Sequence, residues 1–171
     1  DPWFRGSKLN YPWTKYTPNP RGFPFSGVKG LPNENDWGVI PVADKELDDV
    51  KTVDFALRFL KSKQDSPFFL ACGLFRPHLP WYAPRRFFDL YPLDKVVVPK
   101  IFEEDLDDVP EIGKSFAAAR RSDLNKIEKQ GSIIRAVQAY LASISYADEQ
   151  LGRILDVLDS SEYNSNTVII F

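Results

Sequence analysis

With 171 residues, 43% hydrophobic and 27% charged, the chain has room for one domain with a real core and lies outside the composition of disordered proteins. A formal net charge of −2 excludes a general attraction to nucleic acid or to an anionic membrane surface, so an anionic ligand needs a local cluster of positive groups. The single cysteine, Cys72, excludes an intrachain disulfide, and no run of about 20 apolar residues exists to form a membrane span.

The opening residues Asp1-Pro2-Trp3-Phe4-Arg5 do not resemble a signal peptide, so an exported protein would carry its signal elsewhere. Residues 1–42 interleave Pro2, Pro12, Pro18, Pro20, Pro24, Pro32 and Pro41 with Trp3, Tyr11, Trp13, Tyr16, Phe23 and Phe25. Proline at this density prevents regular helices and central strands, while the aromatics need a surface to pack on. The segment reads as an irregular loop pinned to a domain, with the lining of a pocket open as its function.

Residues 43–171 read as an α/β core. Asp44 is placed to cap a helix running to Lys63, in which Leu47, Val50, Val53 or Asp54, Leu57 and Leu60 recur on one face. Ser66-Pro67 ends it. The continuous apolar run from Phe68 to Phe75 then predicts a strand buried on both faces, as in a parallel sheet covered by helices. Residues 76–99 return to loop, with a short amphipathic piece from Arg85 to Leu90 and a possible short strand at Val96-Val97-Val98. Glu103, Glu104, Asp105, Asp107 and Asp108 follow. An EF-hand loop would need a glycine among them, so a solvated acidic loop is the reading preferred to a calcium site. From Ser132, a possible cap, to Leu158 the helical period is unbroken, enough for about 40 Å of helix. The last run, Thr167-Val168-Ile169-Ile170-Phe171, predicts a second buried strand. A chain stopping inside such a strand reads as an internal piece of a longer domain.

In open parallel sheets, ligands bind beyond the carboxyl ends of the strands. Arg76-Pro77-His78-Leu79-Pro80 occupies that place after the first predicted strand and holds the chain's only histidine. Arg76 and His78 together suit an oxyanion such as sulfate or phosphate, the arginine by forked hydrogen bonds and the histidine by one bond and proton transfer. A satisfied loop histidine with a surface arginine fits the spacing equally well. Cys72 has no neighbouring base and reads as a buried structural thiol rather than a nucleophile. Asp148 interrupts the apolar face of the long helix, where it either bonds a backbone group or looks outward. No phosphate-binding glycine loop, metal-ligand spacing or nucleophile elbow occurs.

The block from Pro67 to Pro80, followed by Ala83-Pro84 and Phe88-Asp89-Leu90-Tyr91-Pro92, resembles the formylglycine-dependent sulfatases, and the iduronate-2-sulfatase-like branch most closely. So does the block from Tyr140 to Leu155 with Asn166 to Phe171, supported by Asp36-Trp37-Gly38 and the helix after Asp44. The resemblance implies an alkaline-phosphatase-like α/β sandwich with a mostly parallel central sheet, of which residues 1–171 would be an internal part of the N-terminal catalytic domain. It also implies hydrolysis of a sulfate ester, on a sulfated sugar or related compound, in an extracytoplasmic compartment. The implied cofactors are a formylglycine, made from a Cys in C-x-P-S-R, and calcium. Neither that motif nor the family's Asp-His or Asp-Asn metal pair is present here, and Cys72 is followed by Gly73-Leu74-Phe75. The one residue that carries over is His78, which matches the family histidine that contacts the sulfate ester, either as general acid or as a hydrogen-bond donor to the leaving oxygen. Arg76 stands where a Lys is common. Two alternatives stay open: a phosphodiesterase or phosphonate hydrolase of the same superfamily, and a non-catalytic protein that binds sulfated glycans.

Overall fold

A computed structural model describes residues 25–100, 102 and 104–171. Most of the proline and aromatic segment expected of residues 1–42, and Glu103 of the acidic run, lie outside the described residues. The regular elements are strand β1 (Trp37–Val39), helix α1 (Asp48–Lys61), strand β2 (Trp81–Ala83), and helices α2 (Arg85–Asp89), α3 (Glu111–Lys129) and α4 (Ile133–Asp159). Short 3-10 turns at Asn33–Asn35 and Asp44–Glu46 precede β1 and α1.

β1 and β2 pair in parallel, Trp37 with Trp81, Gly38 with Tyr82 and Val39 with Ala83, with α1 in the connection between them. This α/β crossover uses strands the sequence reading leaves as loop. Each is only three residues long, β1 with Gly38 at its centre and β2 between Pro80 and Pro84, so the alternation that marks a strand never develops.

α4 is the organising element. It buries a stripe of small residues, Ala136, Ala139, Ala142 and Ser143, followed by Tyr146 and Gln150. Small side chains let β2 and its neighbours approach closely, while the bulkier Ile134, Tyr140 and Ile144 are exposed. The main core joins that stripe to Trp37, Ile40, Leu47, Val50, Tyr82, Phe87 and Phe88. A second cluster gathers Leu60, Leu158 and Tyr163 with Phe59 and Phe68, whose rings meet edge to face at 4.9 Å.

Several expectations are corrected. Asp44 does not cap α1: Leu47 stands at the cap position, no side chain closes it, and the Asp44 carboxylate pairs with Arg86 instead. Ser132 stands before α4, but its hydroxyl donates to the Gln130 carbonyl rather than capping. Asp148 is exposed. Residues 68–75 are extended, and Phe68, Leu70, Cys72 and Leu74 are more covered than Phe69, Ala71 and Gly73. That is a strand's alternation, yet among the described residues the run belongs to no ladder, and Phe69 is 88% exposed. Residues 96–98 and 168–171 likewise join no sheet among the described residues. A strand is defined by its neighbours, and these runs have none there.

Candidate active site

The loop from Phe75 to Trp81 links the extended run to β2 and is tied at several points. The His78 N–H donates to the Phe75 carbonyl at 2.9 Å, the Trp81 indole N–H to the Pro77 carbonyl at 3.0 Å, and the Arg76 Nε–H to the Tyr82 carbonyl at 3.2 Å. The Arg76–Pro77 and Leu79–Pro80 peptide bonds are cis.

His78 is exposed on this loop. Its Nδ1 lies 2.5 Å from the Leu79 carbonyl oxygen, and its ring sits 4.8 Å from the Phe75 ring. A carbonyl only accepts, so the proton of that contact is on Nδ1. Nε2 is then the nitrogen left for a ligand, accepting when the ring is neutral and donating when it is charged.

Arg76 turns the other way. Its side chain is 2% exposed, with Nη1 3.7 Å from Asp49 Oδ2. Asp49, itself 3% exposed on the first turn of α1, also accepts the backbone N–H of Phe75 at 2.6 Å and that of Arg76 at 3.4 Å. A guanidinium removed from water needs compensation, and here the chain supplies it internally. The shared oxyanion contact expected of Arg76 and His78 is thus divided: His78 faces outward, and Arg76 is held inward. Only Nη2 of Arg76, buried and without a hydrogen-bond partner among the described residues, is left uncommitted.

Asp49 is the member of this constellation that the sequence reading missed. Its signal was an acid next to Val50 on the apolar face of α1, which reads as a helix-start residue until the loop folds onto it. Cys72 is half-buried, and burial first, then the Asp49 charge, pushes its thiol above the usual range. That suits an inert structural thiol.

Residues 3–171 match the family described as Sulfatase. The chain belongs to the sulfatase family. A sulfatase of Formosa agariphila is 38% identical over 79% of this chain and 27% of its own length. Iduronate 2-sulfatase of Homo sapiens is 32% identical over 78% of this chain and 26% of its own, and an ulvan-active sulfatase of Formosa agariphila 26% identical over 91% and 28%. This sulfatase chain therefore spans about a quarter of the length of the curated relatives it matches. No solved structure matches it.

Sulfatases generally imply a formylglycine and a divalent metal. The described residues fit neither. Among the described residues no group of three or more His, Cys, Asp and Glu side chains is placed to hold a metal ion, and Glu104, Asp105, Asp107 and Asp108 are exposed. Cys72, in an apolar run ahead of Gly73-Leu74-Phe75, lacks the context of the modified cysteine. No helix among the described residues is long and apolar enough to cross a membrane.

Proposed function

We propose that the full-length protein hydrolyses a sulfate ester on a sulfated sugar or a related compound, in an extracytoplasmic compartment, and that His78 is this chain's contribution to the reacting centre. The observation that carries the reading is the exposed His78 on a loop tied down on both sides, its Nδ1 held by the Leu79 carbonyl. Held this way, a charged imidazole donates through Nε2 to the ester oxygen. As the S–O bond breaks, that oxygen leaves with the proton as an alcohol and the ring is left neutral, while the sulfuryl group would pass to a nucleophile outside this chain. Arg76 belongs to the same site mainly as the anchor of the loop, with Nη2 the one edge it can offer to the sulfate. The ligands for calcium, the metal of the resemblance, and the Cys converted to formylglycine would lie in other segments of the same polypeptide.

The test is release of inorganic sulfate from sulfated mono- and disaccharides by the full-length protein, wild type against His78→Ala. The variant is expected to turn over about 10²-fold or more slowly, the usual contribution of a positioned acid. Unchanged turnover removes His78 from the reaction. Faster hydrolysis of phosphodiesters than of sulfate esters supports the phosphoryl-transfer alternative, and glycan binding with no turnover supports a binding protein.

A further inference from the structure

We infer that Asp49 is the positioning residue of this site, acting on the substrate only through the loop that carries His78; the inference rests on the reading of His78 given above. The connection is short and continuous. Asp49 Oδ1 accepts the Phe75 N–H at 2.6 Å, and the Phe75 carbonyl accepts the His78 N–H at 2.9 Å. Asp49 Oδ2 takes the Arg76 N–H at 3.4 Å and the guanidinium at 3.7 Å, and the same guanidinium holds the Tyr82 carbonyl at 3.2 Å. One carboxylate on α1 thereby fixes both the start of the loop and, through Arg76, its return into β2. It does so from a position that is 3% exposed, where the bonds are not exchanged with water.

An acid at this place in the fold is not needed for helix α1 itself. Its neighbours on the buried face, Val50, Val53, Ala56 and Leu60, pack by apolar contact, and Asp48 already puts a negative charge on the first turn. A buried carboxylate facing two backbone N–H groups and a guanidinium is retained at a desolvation cost. What it supplies in exchange is a fixed path for residues 75–78. Placement errors of about 1 Å at a reacting group cost rate rather than binding when the group acts in the transition state.

The experiment is a double-mutant cycle in the full-length enzyme, with Asp49→Asn, His78→Ala and the pair, read as kcat and KM for sulfate release. Asp49→Asn is expected to lower kcat about 10- to 100-fold with KM changed little, and to add almost nothing on the His78→Ala background, since its effect travels through His78. Asp49→Glu keeps the charge but moves the carboxylate by a methylene. It is expected to lose several-fold in kcat with the same non-additivity, and it serves as the readout should Asp49→Asn fail to fold. Full additivity of either Asp49 variant with His78→Ala overturns the inference while leaving the role of His78 intact. An unchanged His78→Ala enzyme overturns that role instead, so the two failures are told apart.

Discussion

Asp36 is 0% exposed, and its carboxylate accepts the backbone N–H groups of Phe25 and Ser26 at 2.7 and 3.1 Å and the Tyr82 hydroxyl at 2.9 Å. Burial, then the Asp36 charge and hydrogen bond, hold the Tyr82 hydroxyl well above the usual phenol range, so it stays a donor at any ordinary pH. Next to this knot, Gly38 has φ of +150°, and a Cβ there would meet the Phe25 Cβ at 2.6 Å. The segment Asp36-Trp37-Gly38, noticed in the sequence for its resemblance alone, is thus the point where the chain entering from residue 25 is fastened to the sheet. Removing the whole acceptor strands buried donors, whereas removing one hydroxyl strands none of the backbone. Asp36→Ala is therefore expected to cost about 3 kcal/mol or more, and Tyr82→Phe about 1 kcal/mol. Urea midpoints of the two variants check this, and equal losses would show that the backbone bonds to Asp36 carry little.

At the scale of elements, helix α2 shows which of two attachments dominates. Arg86 reaches Asp44 at 2.6 Å and Glu149 at 2.7 Å, joining the 3-10 turn before α1, α2 and α4. These side chains are nearly half exposed, so the pairs are screened and contribute about 1 kcal/mol at most. Phe87, 4% exposed, meets Tyr146 of α4 edge to face at 5.5 Å, and truncating such a ring costs about 3–5 kcal/mol. Phe87→Ala is expected to destabilise several times more than Arg86→Ala, and only the Arg86→Ala loss should shrink in high salt. Denaturation at two ionic strengths decides it, and an Arg86 effect as large as that of Phe87 would refute the ordering.

The same elements show what the sequence could disclose. α1 and α4 were legible because their apolar positions repeat over 14 and 27 residues, long enough for the period to stand out. α3 was not. Ile112 and Phe116 are 67% and 69% exposed, and the helix is tied down by polar contacts, Asn35 to Asp123 at 2.6 Å and Gln130 to the Lys29 backbone at 2.9 and 3.1 Å. Those partners lie 88 and 101 residues apart in sequence, where no periodicity reports them. The site was half legible for the same reason. His78 is set by its immediate prolines and neighbours, whereas the inward turn of Arg76 depends on Asp49, 27 residues earlier.

For the molecule as a whole, the consequential feature is apolar surface laid out along extended backbone. Phe69 is 88% exposed, Val97 81%, Val168 85%, Ile170 87% and Phe171 100%, above the 69% of Phe116, the most exposed large apolar side chain described on the helices. Backbone N–H and C=O groups along residues 68–74 lack ladder partners among the described residues, and open strand edges of this kind recruit other strands. The chain spans about a quarter of the length of its relatives, and a longer polypeptide containing it is expected to lay further strands along both runs and close a parallel sheet over them. The expected signature is in amide hydrogen exchange. In the 171-residue chain alone, the amides of residues 68–74 and 168–171 should exchange within seconds, and the chain should bind a hydrophobic dye and associate as concentration rises. In the full-length protein the same amides should be protected to nearly the level of α4, and the dye should no longer bind. Protection of residues 68–74 in the monomeric short chain would mean that these runs find their partners within it, and the sheet assigned to the larger protein would have to be redrawn.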